Sequence, residues 1–477
     1  MNKFERSRRQ FLRTASMTSM AGLSASPMLL GLNSLAAMAQ GTSGGDYRAL
    51  VCIFLQGGND GHGTVIATDP SSFSAFTQAR SGAPGLAYPQ STLFPVTLRT
   101  PQSGRTFALN PSLTGLQNLF NSGRAAIVAN TGTLIAPTTK AQFNAKSVPL
   151  PASLFSHFDQ TAAWQAIAAN GGSTEHVGWG GAVADLIESM NMNSNSMFTC
   201  ISTAGIALFL SGQSSFQLNV TSAGPIPIGG LAQPPFGLSA SANPLASILT
   251  ADEANLFAKE YEVVVTRSTD AQAILASSMV PAGAAGVPNP PQFLDPVTNK
   301  LTDNPLATSL QTVARVISGR SSLGVTRQIF YVQLGTFDTH DGQAVAHARL
   351  LTQLGQAMEY FDGVMQNFGL GDQVTSFTAS DFGRTLTSNS DGTDHGWGSH
   401  HFVVGGAVRG QDMYGQYPVI GANQANDVGA GRLIPTTSVE QYAGTLARWF
   451  GLSDSQIREV FPNIANFGST PYLEFLG

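Results

Sequence analysis

An α/β domain with a central, mostly parallel sheet and helices on both faces is predicted by three features of this sequence. Continuous apolar runs, such as residues 49–55, stop abruptly at glycines or polar residues, the pattern of strands buried on both faces. Between the runs lie segments whose apolar residues recur every three or four positions, as one face of a helix requires. Polar and ionisable residues gather directly after the runs, where the loops of a parallel sheet converge.

The chain opens on a targeting pattern. Residues 7–13 read SRRQFLR, with Arg8 and Arg9 paired ahead of Phe11 and Leu12, which fits a twin-arginine export signal. A weakly apolar stretch from Met17 to about Ala37 follows, interrupted by Ser19, Ser24 and Pro27, and too broken for a membrane anchor. It ends in Ala37-Met38-Ala39, a small-x-small cleavage site, so residues 1–39 are expected to be removed and Gln40 to begin the mature chain. The twin-arginine translocase is the partner this implies, and it carries proteins already folded.

The first strand is expected over 49–55, followed by further strands within 125–132, 328–340, 373–383 and 400–408. Helical periodicity marks 152–169, 250–278, 304–318 and 438–450. It is clearest between 343 and 367, where Leu350, Leu354, Met358, Phe361 and Met365 share a face. From about 200 to 303 the chain is rich in Ser, Gly, Pro and Ala with short β-like pieces, and reads as an insertion or cap on a single domain spanning 40–477. Cys52 lies inside an apolar run, where a thiol behaves as a small hydrophobe. An oxidising compartment permits a bridge to Cys200, though nothing in the spacing argues for one.

Charged residues make up only 11% of the chain and the net charge is −5, with no basic run beyond the N-terminus, so nucleic acid is excluded as a partner. Against that background the ionisable residues are conspicuous. The first run ends in Gln56-Gly57-Gly58-Asn59-Asp60-Gly61-His62, the run near 330 in Asp338-Thr339-His340, and the run near 376 in Ser380-Asp381-Phe382-Gly383-Arg384. Asp394 and His395 precede the strand near 404, and five of the eight histidines fall between His340 and His401. Carboxylates and imidazoles brought together from several loops are what a divalent cation needs. The glycine turn lacks the dinucleotide spacing, and NSDGTDHG lacks the EF-hand spacing and its terminal glutamate.

Taken in order, GGNDG, SHF at 156–158, FDTH at 337–340, SDFGRT at 380–385 and DHGWGSHHFVVGGAVRG at 394–410 resemble the domain-of-unknown-function 1501 family, over essentially the whole mature chain. That family in turn resembles the alkaline-phosphatase-like superfamily of phosphatases, sulfatases and phosphomutases. The resemblance implies an alkaline-phosphatase-like sheet with a metal site at its C-terminal edge. Asp60, Asp338, His340, Asp381, Asp394, His395 and His401 are the ligand candidates it suggests, with zinc, magnesium, manganese or calcium as the ion. Superfamily members carry Asp-His where this chain has Asp381-Phe382, and phenylalanine cannot ligate. Either Asp394, His395 or His401 compensates, or the site holds one ion.

The nucleophile implied is a hydroxyl at a helix start, with Ser156 first and Ser153 second; a cap serine beside a core histidine is the alternative. Arg384 is the candidate clamp for an anionic group. Two functions are consistent with these residues. One is a periplasmic metal-dependent hydrolase of phosphate or sulfate esters, on a small molecule or a polysaccharide. The other is a non-catalytic binding or assembly protein on the same fold, which Phe382 favours.

Overall fold

The structure is a computed structural model that describes residues 47–477, apart from residue 103, 167–176, 233, 235–236, 238, 240–242, 250 and 252–254. The expected signal segment and His176 lie outside the described residues.

The architecture is α/β with a large, mostly parallel sheet. Its strands are β1 (Arg48–Leu55), β2 (Ala125–Gly132), β3 (Cys200–Ser202), β4 (Gln217–Thr221), β5 (Gly224–Pro225), β6 (Arg327–Leu334) and β7 (Val374–Ser380). After a separate hairpin of β8 (Arg384–Ser388) and β9 (Thr393–His395), β10 (Ser399–Val404), β11 (Met413–Tyr414) and β12 (Thr437–Ser438) complete it. The order is β11-β2-β10-β7-β1-β6-β3-β4-β5, with β12 also pairing β2. The central trio β7-β1-β6 is parallel and in register, Leu55 lying opposite Leu334 on one side and Ser380 on the other. Only β10, against β7 and β2, and the edge strand β5 run antiparallel in the sheet.

Burial on both faces explains the unbroken apolar runs. In β1, Ala49, Val51, Ile53 and Leu55 face one core while Leu50, Cys52 and Phe54 face the other. The first core is covered by α1 (Thr114–Asn121), with α5 (Pro305–Ser318) and α6 (Gln343–Asn367) beside it; α6 contributes Leu350, Leu354, Met358 and Phe361. The second is covered by α3 (Trp179–Ser189) and α7 (Val439–Phe450), through Trp179, Val183, Tyr442 and Leu446. Each such aliphatic side chain stabilises the fold by about 2 kcal/mol when fully buried.

The segment read as a cap is partly sheet. Cys200–Ser202 and Gln217–Thr221 extend the central sheet in parallel beyond β6, and the long α4 (Leu256–Ser278) lies outside it with most of its surface exposed. Residues 280–303 hold one small hairpin, Phe293–Asp295 with Lys300–Thr302. Cys52 and Cys200 are both buried and free. Among the described residues no helix is long and apolar enough to cross a membrane.

Candidate metal centre

Three loops at the carboxyl edge of β1, β6 and β7 meet one helix start and one hairpin. Because Leu55, Leu334 and Ser380 lie side by side, the residues that follow them share one edge of the sheet. Asp338 comes four residues after β6, Asp381 directly after β7, and His395 ends β9 opposite Arg384. His157 opens α2 (His157–Ala166).

Single ligand atoms of His157, Asp338 and His395 lie within 4.8 Å of one another. His157 Nε2 is 3.3 Å from Asp338 Oδ2, and His395 Nε2 is 3.2 Å from Asp338 Oδ1. His340 Nε2 flanks the group, 3.1 Å from Asp338 Oδ1 and 2.9 Å from His395 Nε2. Donors arranged tetrahedrally at about 2.1 Å from an ion lie about 3.4 Å from each other, so these separations suit one.

The second nitrogen of each ring strengthens the case. His157 Nδ1 lies 2.7 Å from Asp381 Oδ2, His395 Nδ1 2.7 Å from the Phe155 carbonyl, and His340 Nδ1 3.3 Å from Asp394 Oδ1. Carbonyls and carboxylates only accept, so each Nδ1 carries the proton and each Nε2 of a neutral ring presents a lone pair. Two such lone pairs cannot stay 2.9 Å apart unless a proton or a cation lies between them. His157 Nε2 is buried without a well-aligned hydrogen bond. This is the arrangement in which outer carboxylates orient imidazoles toward a metal.

Electrostatics follow from the same contacts. The hydrogen bond to Asp381 holds the His157 ring above the ordinary histidine value, while burial holds the His395 ring below it. Burial pushes the Asp338 carboxyl up, but Arg384 and the neighbouring histidines outweigh it and keep Asp338 below the usual carboxylate range. Asp394 is held low likewise, its burial offset by Asn389 and His340.

Arg384 is fully buried and otherwise bonded. Its guanidinium donates to the carbonyls of Gly57, Phe337 and Thr393 as well as to Asp338 Oδ1, tying three loops together. That occupies it as an anchor for Asp338, not as a free anion clamp. Gly57 closes the same knot by donating to Asp381 Oδ1. Its φ is +115°, and a Cβ there would fall 2.3 Å from the Asp338 nitrogen, so only glycine fits. Phe382 packs its ring 4.8 Å from His157 and 4.6 Å from His395, forming an apolar wall beside both imidazoles.

Several expected site residues stand elsewhere. Asp60 is buried and binds Arg80 through both oxygens at 2.9 Å, with Gln343 on Oδ2 at 2.7 Å, so its lone pairs are spent on an internal ion pair. His401 lies in the second core between Trp164 and Tyr442, and burial pushes it down to about 3. Asp381 and Asp394 stand behind the imidazoles as acceptors. Ser156 donates to Asp159 Oδ2 at 2.6 Å, as a helix-start serine does, and Ser153 sits in the preceding turn with φ +45°. His157, which no ligand pattern in the sequence singles out, occupies the place expected of Ser156.

A family model for proteins of unknown function, DUF1501, matches residues 47–461. The chain belongs to that family. No curated protein matches it. Among solved structures, one from work on the metabolism of multiple glycosaminoglycans by Bacteroides thetaiotaomicron aligns with 10% identity. The alignment covers 87% of this chain and 74% of that one, with a TM-score of 0.33, and a likeness at that level carries nothing about activity.

Proposed function

We propose that this DUF1501 protein is an exported, metal-dependent hydrolase of esters, phosphate or sulfate esters being those its superfamily resemblance implies. The observation that carries the reading is the set of three imidazole Nε2 atoms around Asp338, each ring fixed by an acceptor behind its Nδ1. His157, Asp338 and His395 would hold the ion, with His340 at its side. Imidazole-rich donors suit zinc better than magnesium, manganese or calcium, which favour oxygen. Such an ion supplies Lewis acidity toward an ester oxygen and an activated water at neutral pH.

The chain's own residues hold the reacting partners in place. Arg384 and Gly57 fix Asp338 and Asp381, Phe382 keeps water from the inner side of the rings, and a cleft of about 750 Å³ leads in past His157 and Asp338. Water is the nucleophile in this reading, since the Ser156 hydroxyl is spent on Asp159. Export through the twin-arginine translocase to the periplasm, with no stable membrane anchor, belongs to the same proposal and rests on Arg8 and Arg9.

The test is elemental analysis of the mature protein, together with turnover of 4-nitrophenyl phosphate and 4-nitrophenyl sulfate before and after chelation. A stoichiometric divalent ion and chelator-sensitive turnover, both lost in His157→Ala, are expected. Wild-type protein that binds no divalent ion overturns the reading. An ion bound without turnover of any ester supports the binding protein instead.

A further inference from the structure

We propose that the cleft beside the cluster selects an uncharged, hydroxyl-rich group, a neutral sugar residue, next to the bond that is broken; which bond that is rests on the hydrolase reading. The cleft holds about 750 Å³, within the range of specific small-molecule sites. None of the described residues lining it is Lys or Arg. The Arg384 guanidinium, which bonds the lining residue Asp338, is fully buried and committed to carbonyls and that carboxylate. Two carboxylates, Asp338 and Asp381, stand at the inner end. Positive charge from His157, or from an ion held beside it, would serve the ester at the inner end; an anionic substituent farther out would find no lysine or arginine among the described lining residues.

What the walls do offer is neutral hydrogen bonding. The Gln333 amide donates to the Gln56 side-chain oxygen, which leaves the Gln56 amide hydrogens and the Gln333 oxygen unspent, a donor beside an acceptor. A hydroxyl both donates and accepts, so it satisfies such a pair; a charged group satisfies only half. Deeper in, the Tyr331 hydroxyl accepts from Gln165 and keeps its own hydrogen to give. At the rim Phe158 is 85% exposed on the residue next to His157. An aromatic face left in water beside amides matches a sugar ring, whose C–H face is apolar and whose edge carries hydroxyls.

The experiment is titration calorimetry on the full mature protein, read as binding and not as turnover. The probes are cellotetraose, maltotetraose, the carboxylated sugar tetragalacturonate and tetraalanine. At least one neutral tetrasaccharide is expected to bind with little change between about 50 and about 500 mM salt. Phe158→Ala and Gln333→Ala should each weaken it about tenfold, with melting temperature and metal content unchanged. The proposal is overturned if no neutral sugar binds, if the carboxylated sugar or the peptide binds more tightly than both neutral sugars, or if neither substitution weakens binding. A protein without metal or turnover would end the hydrolase reading and leave this binding result standing, so the two fail separately.

Discussion

Replacing Asp381 by Asn separates an acid that orients a ligand from one that merely belongs to the core. Asp381 is 1% exposed, accepts from His157 Nδ1 at 2.7 Å through Oδ2, and accepts from the Gly57 nitrogen at 3.1 Å through Oδ1. Asparagine keeps the shape and one oxygen. That oxygen can serve His157 or Gly57, and the other donor then meets an amide N–H, donor against donor. Leaving one buried donor unmatched costs about 1–3 kcal/mol of stability. Losing the charge also lowers the basicity of the His157 ring, which the hydrogen bond to Asp381 holds above the ordinary value.

Outer-sphere changes of this kind typically weaken metal binding about 10- to 100-fold. The assay is competition with a chromophoric chelator on metal-stripped protein, with a melting curve on the same sample. Expected is a folded Asp381→Asn protein of lower melting temperature whose metal affinity falls within that range. Unchanged affinity alongside the stability loss would refute the reasoning. His157 would then be a core histidine paired to a core acid, and the ion, if bound, would be held by other groups.

Asp60→Asn should behave in the opposite way, losing about 3–5 kcal/mol of stability because the buried Arg80 is left uncompensated, while the folded fraction keeps its metal; chemical denaturation and elemental analysis check both halves. Ser156→Ala should cost about 1 kcal/mol in a denaturation curve, with metal content and turnover retained, since its hydroxyl bonds Asp159. Glu440 is 3% exposed, and burial raises it from the ordinary 4.5 to about 7. A raised folded value means its contribution is fully present below pH 4.5 and lost as pH rises through 7, a change of about 3 kcal/mol. Glu440→Gln should flatten the melting-temperature profile between those limits, and an unaltered slope there would count against it.

The fold was readable because it depends on periodicity alone. Residues 49–55 and 125–129 are apolar without a break since both faces of their strands are covered, and the helix at 343–367 matches its pattern to the residue. Asp338 and Asp381 were legible for the same reason: a strand end in a parallel sheet fixes which edge a residue occupies, whereas Asp394 and His395 reach that edge through the separate β8–β9 hairpin. What strand ends do not reveal is the partner each side chain takes. Asp60 follows the end of a central strand just as Asp338 and Asp381 do, yet Arg80 claims it, and nothing local in the sequence announces that pair. His157 was missed because its partner acid is 224 residues away and its ring opens a helix instead of closing a strand. Adjacent residues of a strand point to opposite faces, and that rule alone would have divided His400 and His401. The first stacks on Tyr417 in one core and the second on Tyr442 in the other, with neither in the cluster. The crowding of acids and histidines between 378 and 402 therefore has several causes. Asp381, Asp394 and His395 join the candidate centre, Asp391 accepts from the Gly342 nitrogen at the start of α6, and the paired histidines fill two cores. A cluster in sequence becomes a site only where the fold turns its members toward one point, and here it turns in His157 from outside the cluster while sending His401 away.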